Sequence, residues 1–143
     1  MTIEETQQEI ISEFEFMTDW MDKYEMIIQT GKELPLIDEQ YKTPENLIKG
    51  CQSQVWLHVD YKDGRLHFTA DSDALITKGL IALVVKVLSG HTPKEIIEAN
   101  LYFIDEIGLR SHLSPTRSNG LLSMVKQIKN YAVAFRALEL KDK

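Results

Sequence analysis

Cysteine is almost absent from this chain: of 143 residues only Cys51 is one. A single thiol forms no internal disulfide, and it cannot supply the thiolate cluster that most cysteine metal sites need. Long apolar runs are missing too. The longest, Leu80 to Leu88, is interrupted by Lys86 and reads as a core helix, too short to span a membrane. The first residues, Met1-Thr2-Ile3-Glu4-Glu5, are acidic and lack the basic and apolar regions of a secretion signal. Together with one unpaired cysteine, this reads as a protein of a reducing compartment, the cytoplasm. No Gly-rich phosphate loop or dinucleotide fingerprint occurs, and nothing suggests pyridoxal phosphate, so no bound cofactor is expected. His58, His67, His91 and His112 lack the His-x-x-x-His spacing of a helical metal site, and no metal is expected.

What is present is an ordinary globular composition, 43% hydrophobic and 27% charged. The length suits one domain, residues 1–143, able to bury a core without disulfides or metal. Net charge is −6 but uneven: residues 1–45 hold 12 acids and 3 bases, residues 110–143 hold 2 acids and 7 bases. Without a dense basic stripe, nucleic-acid binding is not expected. The asymmetry either steers a protein partner or marks helix faces that neutralise each other in the fold.

Thr2-x-x-Glu5 predicts a capping box that opens a first helix. Ile10, Phe14, Met17, Met21, Tyr24 and Ile28 follow at helical steps, in one helix or in two if Thr18-Asp19 caps a second near Trp20. Gly31 is expected to end the stripe. Lys32 to Glu45, with Pro35 and Pro44, reads as a loop with a short helical turn. From Val55 to Asp71 the sequence predicts a hairpin about an Asp63-Gly64 turn. Tyr61 then faces Leu66, Val59 faces Phe68 and Leu57 faces Ala70 on an apolar face, with Trp56, His58, Asp60, His67 and Thr69 on the other. Leu47-Ile48 is expected as a further short strand. Asp73 should N-cap a helix from Ala74 to Leu88 that lays Ile76, Leu80, Leu83, Val84 and Val87 on the hairpin and stops at Gly90. Short helices are expected from Thr92-Pro93 to Ala99 and over Phe103 to Gly108. Ser114-Pro115 opens the last, with Leu121, Val125, Ile128, Ala132 and Phe135 on one face. The expected class is α+β, a small antiparallel β-sheet covered by helices.

Cys51 sits in Lys49-Gly50-Cys51-Gln52-Ser53-Gln54-Val55-Trp56, between the two expected strands. A lone free cysteine is most often a small buried hydrophobe. Here Gly50 permits a sharp or left-handed turn, and Gln52, Ser53 and Gln54 suit a loop tip better than a core. Filler, accident and nucleophile all remain open on the residue alone.

The whole segment Gly50-Cys51-Gln52-Ser53-Gln54-Val55-Trp56 resembles the signature of the SufE family, sulfur acceptors that work with cysteine desulfurases in iron–sulfur cluster assembly. Two further blocks follow in the same order. Asp71-Ser72-Asp73-Ala74-Leu75-Ile76-Thr77-Lys78-Gly79-Leu80-Ile81-Ala82 is similar to the family's strand-to-helix block. His112-Leu113-Ser114-Pro115-Thr116-Arg117-Ser118-Asn119-Gly120-Leu121 is similar to its late block, with the hydroxyl types around Pro115 exchanged. The resemblance runs from about Phe14 to about Ala134.

The resemblance implies a fold related to that of the IscU-like iron–sulfur scaffold proteins, and a carrier rather than an enzyme. Cys51 would accept a persulfide sulfur from a SufS-like or CsdA-like pyridoxal-phosphate desulfurase and pass it to an iron–sulfur scaffold complex, stimulating the desulfurase. Arg117 is the candidate to support the Cys51 thiolate, with a structural ion pair as the alternative. Gly50, Gln52, Ser53, Asp71 and Asp73 are partner-contact candidates. Whether the chain is a monomer or a weak dimer is left open. The sulfur is expected to be sheltered at rest against Leu47, Ile48, Val55, Trp56 and Leu57. Two other readings stay open: a cysteine-nucleophile hydrolase with a histidine base, and an adaptor that acts by binding alone.

Overall fold

In the computed structural model, which describes residues 1–142, each expected capping motif near the N-terminus closes its helix. Helix α1 spans Ile3–Glu15: the Thr2 hydroxyl accepts from the Glu5 amide at 3.0 Å, and the Glu5 carboxylate accepts from the Thr2 amide at 2.9 Å. Asp19 caps α2 (Trp20–Lys32) by accepting from the Met21 amide at 3.0 Å, so the stripe is two helices. The non-helical residues between them reset the phase. Ile10 and Phe14 are buried, but Met21 is 67% exposed, and α2 buries Ile27, Thr30 and Gly31 instead of Ile28.

Gly31 therefore lies inside α2 and does not end it. It faces Gly79 of α3 (Leu75–Leu88). A Cβ built on Gly31 would stand 3.0 Å from the Gly79 amide nitrogen, and one built on Gly79 would stand 2.1 Å from the Ile27 carbonyl oxygen. The two glycines let the backbones of α2 and α3 touch. Helix α3 is buried all round, Thr77, Ile81, Ala82, Val85 and Leu88 included, where a single stripe was expected. A helix apolar on every side is a central one, and α3 packs against α1, α2, β2 and α7.

The hairpin has the register the alternation predicts. Strands β1 (Val55–Lys62) and β2 (Arg65–Ser72) pair antiparallel, with Leu57 opposite Ala70, Val59 opposite Phe68 and Tyr61 opposite Leu66. Asp63 and Gly64 turn it at φ 53° and 77°, the left-handed pair that a two-residue turn of this hand requires. These are the two strands of the sheet. Leu47-Ile48 contributes one bridge, Leu47 to Trp56, with the Ile48 amide donating to Val55 at 2.8 Å, and forms no strand. The short 3-10 turn Pro44–Asn46 on one side and the left-handed Gly50 on the other leave no length for more pairing.

Asp73 departs from its expected role. Ala74 occupies the N-cap position of α3 with no side-chain cap, while the Asp73 carboxylate accepts from the Gln54 amide at 3.1 Å. The Asp73 amide donates back to the Gln54 carbonyl at 3.3 Å. This pair extends the ladder one step beyond Val55 and Ser72, which keeps the carboxylate from the helix end.

Three short helices follow: α4 (Pro93–Glu98), capped by Thr92 and Glu95, α5 (Phe103–Glu106), and an unanticipated turn α6 (Leu109–His112). The long α7 (Pro115–Lys141) opens with the Ser114 hydroxyl accepting from the Arg117 amide at 3.3 Å and buries Leu121, Met124, Ile128 and Ala132. Among the described residues no ion pair joins the acidic N-terminal stretch to this basic helix, whose Arg136 pairs within it, with Glu139.

Substituting Gly79→Ala should cost about 3 kcal/mol, the upper range for overpacking a core, because backbone rather than a mobile side chain blocks the methyl. Chemical denaturation checks this. Exposed Gly64→Ala, with nothing within 4 Å of its Cβ, should cost only the strain of its left-handed φ.

Candidate functional site

The Cys51 loop is fixed at both roots. Ile48 bonds to Val55 across its base, and Gln54 is held by both polar groups of Asp73. Between them Gly50 takes φ +91°, and a Cβ there would stand 2.5 Å from the Ser123 hydroxyl of α7. The left-handed turn and the closeness of α7 together account for glycine here. The loop thereby tips Cys51 toward α7, where its Sγ donates to the Gly120 carbonyl at 3.6 Å.

The half-buried sulfur borders a cavity of about 390 Å³. Gln52 and Ser53 form its rim from the loop, Thr77 and Leu80 its wall from α3, and Ser114, Thr116, Arg117, Gly120 and Met124 its wall from α7. Two physical effects keep the resting sulfur neutral. Burial pushes the Cys51 thiol above the ordinary cysteine value, and the bond to Gly120 needs the S–H proton, so it too favours the thiol. The charge that would favour a thiolate lies close by: α7 presents its positive N-terminal end there, and Arg117 is exposed with no carboxylate partner among the described residues.

Of the candidate residues, Cys51, Gln52, Ser53 and Arg117 meet at this cavity. Asp71 and Asp73 do not line it. Asp71 is clamped by Lys42 at 2.8 Å and Lys78 at 3.3 Å. Its burial opposes ionisation, but the hydrogen bonds from Lys42, the Ser72 amide and Lys78 outweigh it, so its carboxyl is held below the usual range. It ties the 39–46 segment, where Tyr41 also stacks on His58, to the hairpin and α3. Cys51 packs against the hydrophobic core, which includes Ile48, Val55 and Leu57. Ile48, Val55 and Leu57 are buried in the core at the loop's roots, while Leu80 and Met124 are the apolar residues beside the sulfur's cavity.

Thr77, Gly120 and Met124 were not singled out from sequence as site residues. The helical spacing of Arg117, Gly120 and Met124, three and four apart, is the signal that places them on one face. No histidine lines the cavity: His58 pairs with Asp60, His91 lies near Glu95, and His112 stacks on Trp20. Among the described residues no group of three His, Cys, Asp or Glu side chains is placed to hold a metal ion. No described helix is long and apolar enough to cross a membrane.

Residues 8–132 match the family described as SufE, Fe-S metabolism associated domain. An uncharacterised SufE-like protein of Rhizobium etli is 45% identical over 129 residues, 87% of either chain. One from Synechocystis is 39% identical over 127 residues, 89% of this chain and 80% of its own. The SufE-like protein 1, chloroplastic/mitochondrial, of Arabidopsis thaliana is 42% identical over 88% of this chain, which spans 34% of that longer protein. The solution structure of a hypothetical protein from Thermus thermophilus superposes with a TM-score of 0.74 over 90% of this chain and 94% of its own. At 16% identity it shows a shared fold.

Because burial and the Gly120 bond both favour S–H, alkylation of Cys51 by a neutral reagent should rise with pH through an inflection above that of a free cysteine. Stopped reactions read by intact mass across pH check this. An inflection below the free-cysteine value would mean that the cations already act on the resting sulfur.

Proposed function

The chain belongs to the SufE family, and we propose that it is a sulfur acceptor whose Cys51 takes the outer sulfur of a persulfide on a pyridoxal-phosphate cysteine desulfurase and delivers it to an iron–sulfur scaffold. The observation that carries this reading is the placement of the chain's one thiol, on a doubly rooted loop at the edge of a cavity that also holds Arg117.

The Cys51 thiolate attacks the outer sulfur of the donor persulfide. A new S–S bond forms at Cys51, the donor's S–S bond breaks, and the donor cysteine leaves as a thiolate. No external oxidant or reductant enters, because the sulfur moves with its oxidation level unchanged. Delivery to the scaffold repeats the same exchange with Cys51 as the leaving group.

At rest the sulfur is half-buried and protonated, so attack on a partner's persulfide calls for two changes. The S–H proton must leave the Gly120 carbonyl, and the sulfur must move out toward the partner. Gly50, Gln52 and Ser53 are the parts of the loop a docked desulfurase meets first. Binding that favours the loop-out form supplies the energy of opening, since a ligand shifts such an equilibrium only by its differential affinity. Once free of Gly120, the sulfur is supported as an anion by Arg117 and the first turn of α7. Asp71 and Asp73 act at a distance, by holding the hairpin end and the root on which the loop pivots. The carrier works in a reducing compartment such as the cytoplasm, where the free thiol persists, and the exchange needs only one copy of the chain.

Incubation with a cognate desulfurase and cysteine should add the mass of one sulfur atom, removable by reductant. Cys51→Ser should still bind the desulfurase but should not raise its turnover. Full stimulation by Cys51→Ser would show action by binding alone, and turnover of the partner without any added sulfur on this chain would refute the transfer step.

A further inference from the structure

Thr77 stands in the first turn of α3, with only 8% of its surface exposed, and it lines the Cys51 cavity. Threonines buried in helices usually satisfy their hydroxyl on the carbonyl one turn back. Two others here do so: Thr6 donates to Thr2 at 3.0 Å and Thr30 to Met26 at 2.8 Å. The Thr77 hydroxyl makes no hydrogen bond to any described residue. Yet no fully enclosed side-chain polar atom among the described residues is left without a partner. The hydroxyl therefore keeps an open side, and the cavity is the open space that Thr77 borders.

The Gly120 carbonyl can hold Cys51 only while the sulfur carries a proton. A persulfide is a stronger acid than the thiol it comes from, so the loaded sulfur is an anion near neutral pH and has no proton for that carbonyl. Its outer atom extends about 2.0 Å beyond Sγ, into a space of about 390 Å³. There it needs donors, and a hydroxyl is both donor and acceptor. Of the hydroxyls around the cavity, those of Ser114 and Thr116 belong to exposed residues and that of Ser53 to a half-buried one, whereas Thr77 is buried.

Resting on the sulfur-acceptor reading, we infer that Thr77 is a binding residue for the loaded state: its hydroxyl donates to the outer sulfur of the Cys51 persulfide and holds it inside the cavity between transfers. The ligand is a perthiolate carried on the chain's own cysteine. Thr77 plays no part in holding the empty thiol, which Gly120 secures.

The test loads Cys51 without any partner. Cys51 is first converted to a mixed disulfide with an arylthiol; hydrosulfide then attacks the Cys51 sulfur and expels the arylthiolate, leaving the persulfide. Loss of the outer sulfur to excess glutathione is followed by intact mass for the native chain, Thr77→Val and Thr77→Ser. Thr77→Val should lose sulfur roughly tenfold faster, the scale of one hydrogen bond to a charged atom. Thr77→Ser should stay near the native rate, and alkylation of the unloaded thiol should be alike in all three. Equal persulfide lifetimes in the native chain and Thr77→Val would overturn the inference. So would a faster loss matched by an equal rise in alkylation of the unloaded thiol, which marks a loosened loop. Since chemical loading bypasses the desulfurase, a native chain that keeps its persulfide through Thr77 but never receives sulfur from a desulfurase would refute the proposed function alone.

Discussion

The contact between the Cys51 sulfur and the Gly120 carbonyl sets the terms for everything else at this site. It is a bond that exists only while the sulfur is protonated, made in a half-buried place where burial already disfavours charge. The thiol is thus held at rest in its less reactive, protonated form. Arg117 and the first turn of α7, which would favour an anion, border the same cavity, so under the proposed carrier role reactivity is released by movement of the loop.

That contact depends on architecture remote from it. The loop reaches α7 because Gly50 turns left-handed under Ser123, and it returns because Asp73 seizes Gln54 on the far side. Asp73 lies one residue past β2, so the hairpin register positions the root. The hairpin lies on α3, whose own place is set by the glycine contact with α2. A tight core lies beneath a loop rooted at two points and held between them by the Gly50–Ser123 approach and the Cys51–Gly120 contact, an arrangement that suits the movement the proposed transfer requires.

Much of this could be read from the chain. The hairpin register followed from a two-residue turn and strict alternation, both local signals. The caps at Thr2, Asp19, Thr92 and Ser114 were equally local. Gly31 misled because a helix stop and a close helix crossing demand the same residue, and only the partner helix tells them apart. Asp73 misled for a related reason: its carboxylate had two possible amides in reach, and sheet pairing at Gln54 won over the helix end. The cavity was the least legible part. Cys51, Thr77 and Gly120 come from a loop and two helices far apart in sequence, and their meeting depends on how α3 and α7 pack. Leu80 and Met124, which border the sulfur's cavity, were hidden on the same ground.

The measurement that reaches the centre of this account is the rate at which a neutral reagent alkylates Cys51, alone and with a desulfurase whose own cysteine has been removed. The inactive partner can dock but can transfer nothing, so any change reports the loop. The account predicts slow alkylation of the isolated chain and a clear acceleration on docking, as the sulfur leaves Gly120 and its proton is released. A resting rate equal to that of free cysteine at the same pH, unchanged when the partner binds, would contradict it.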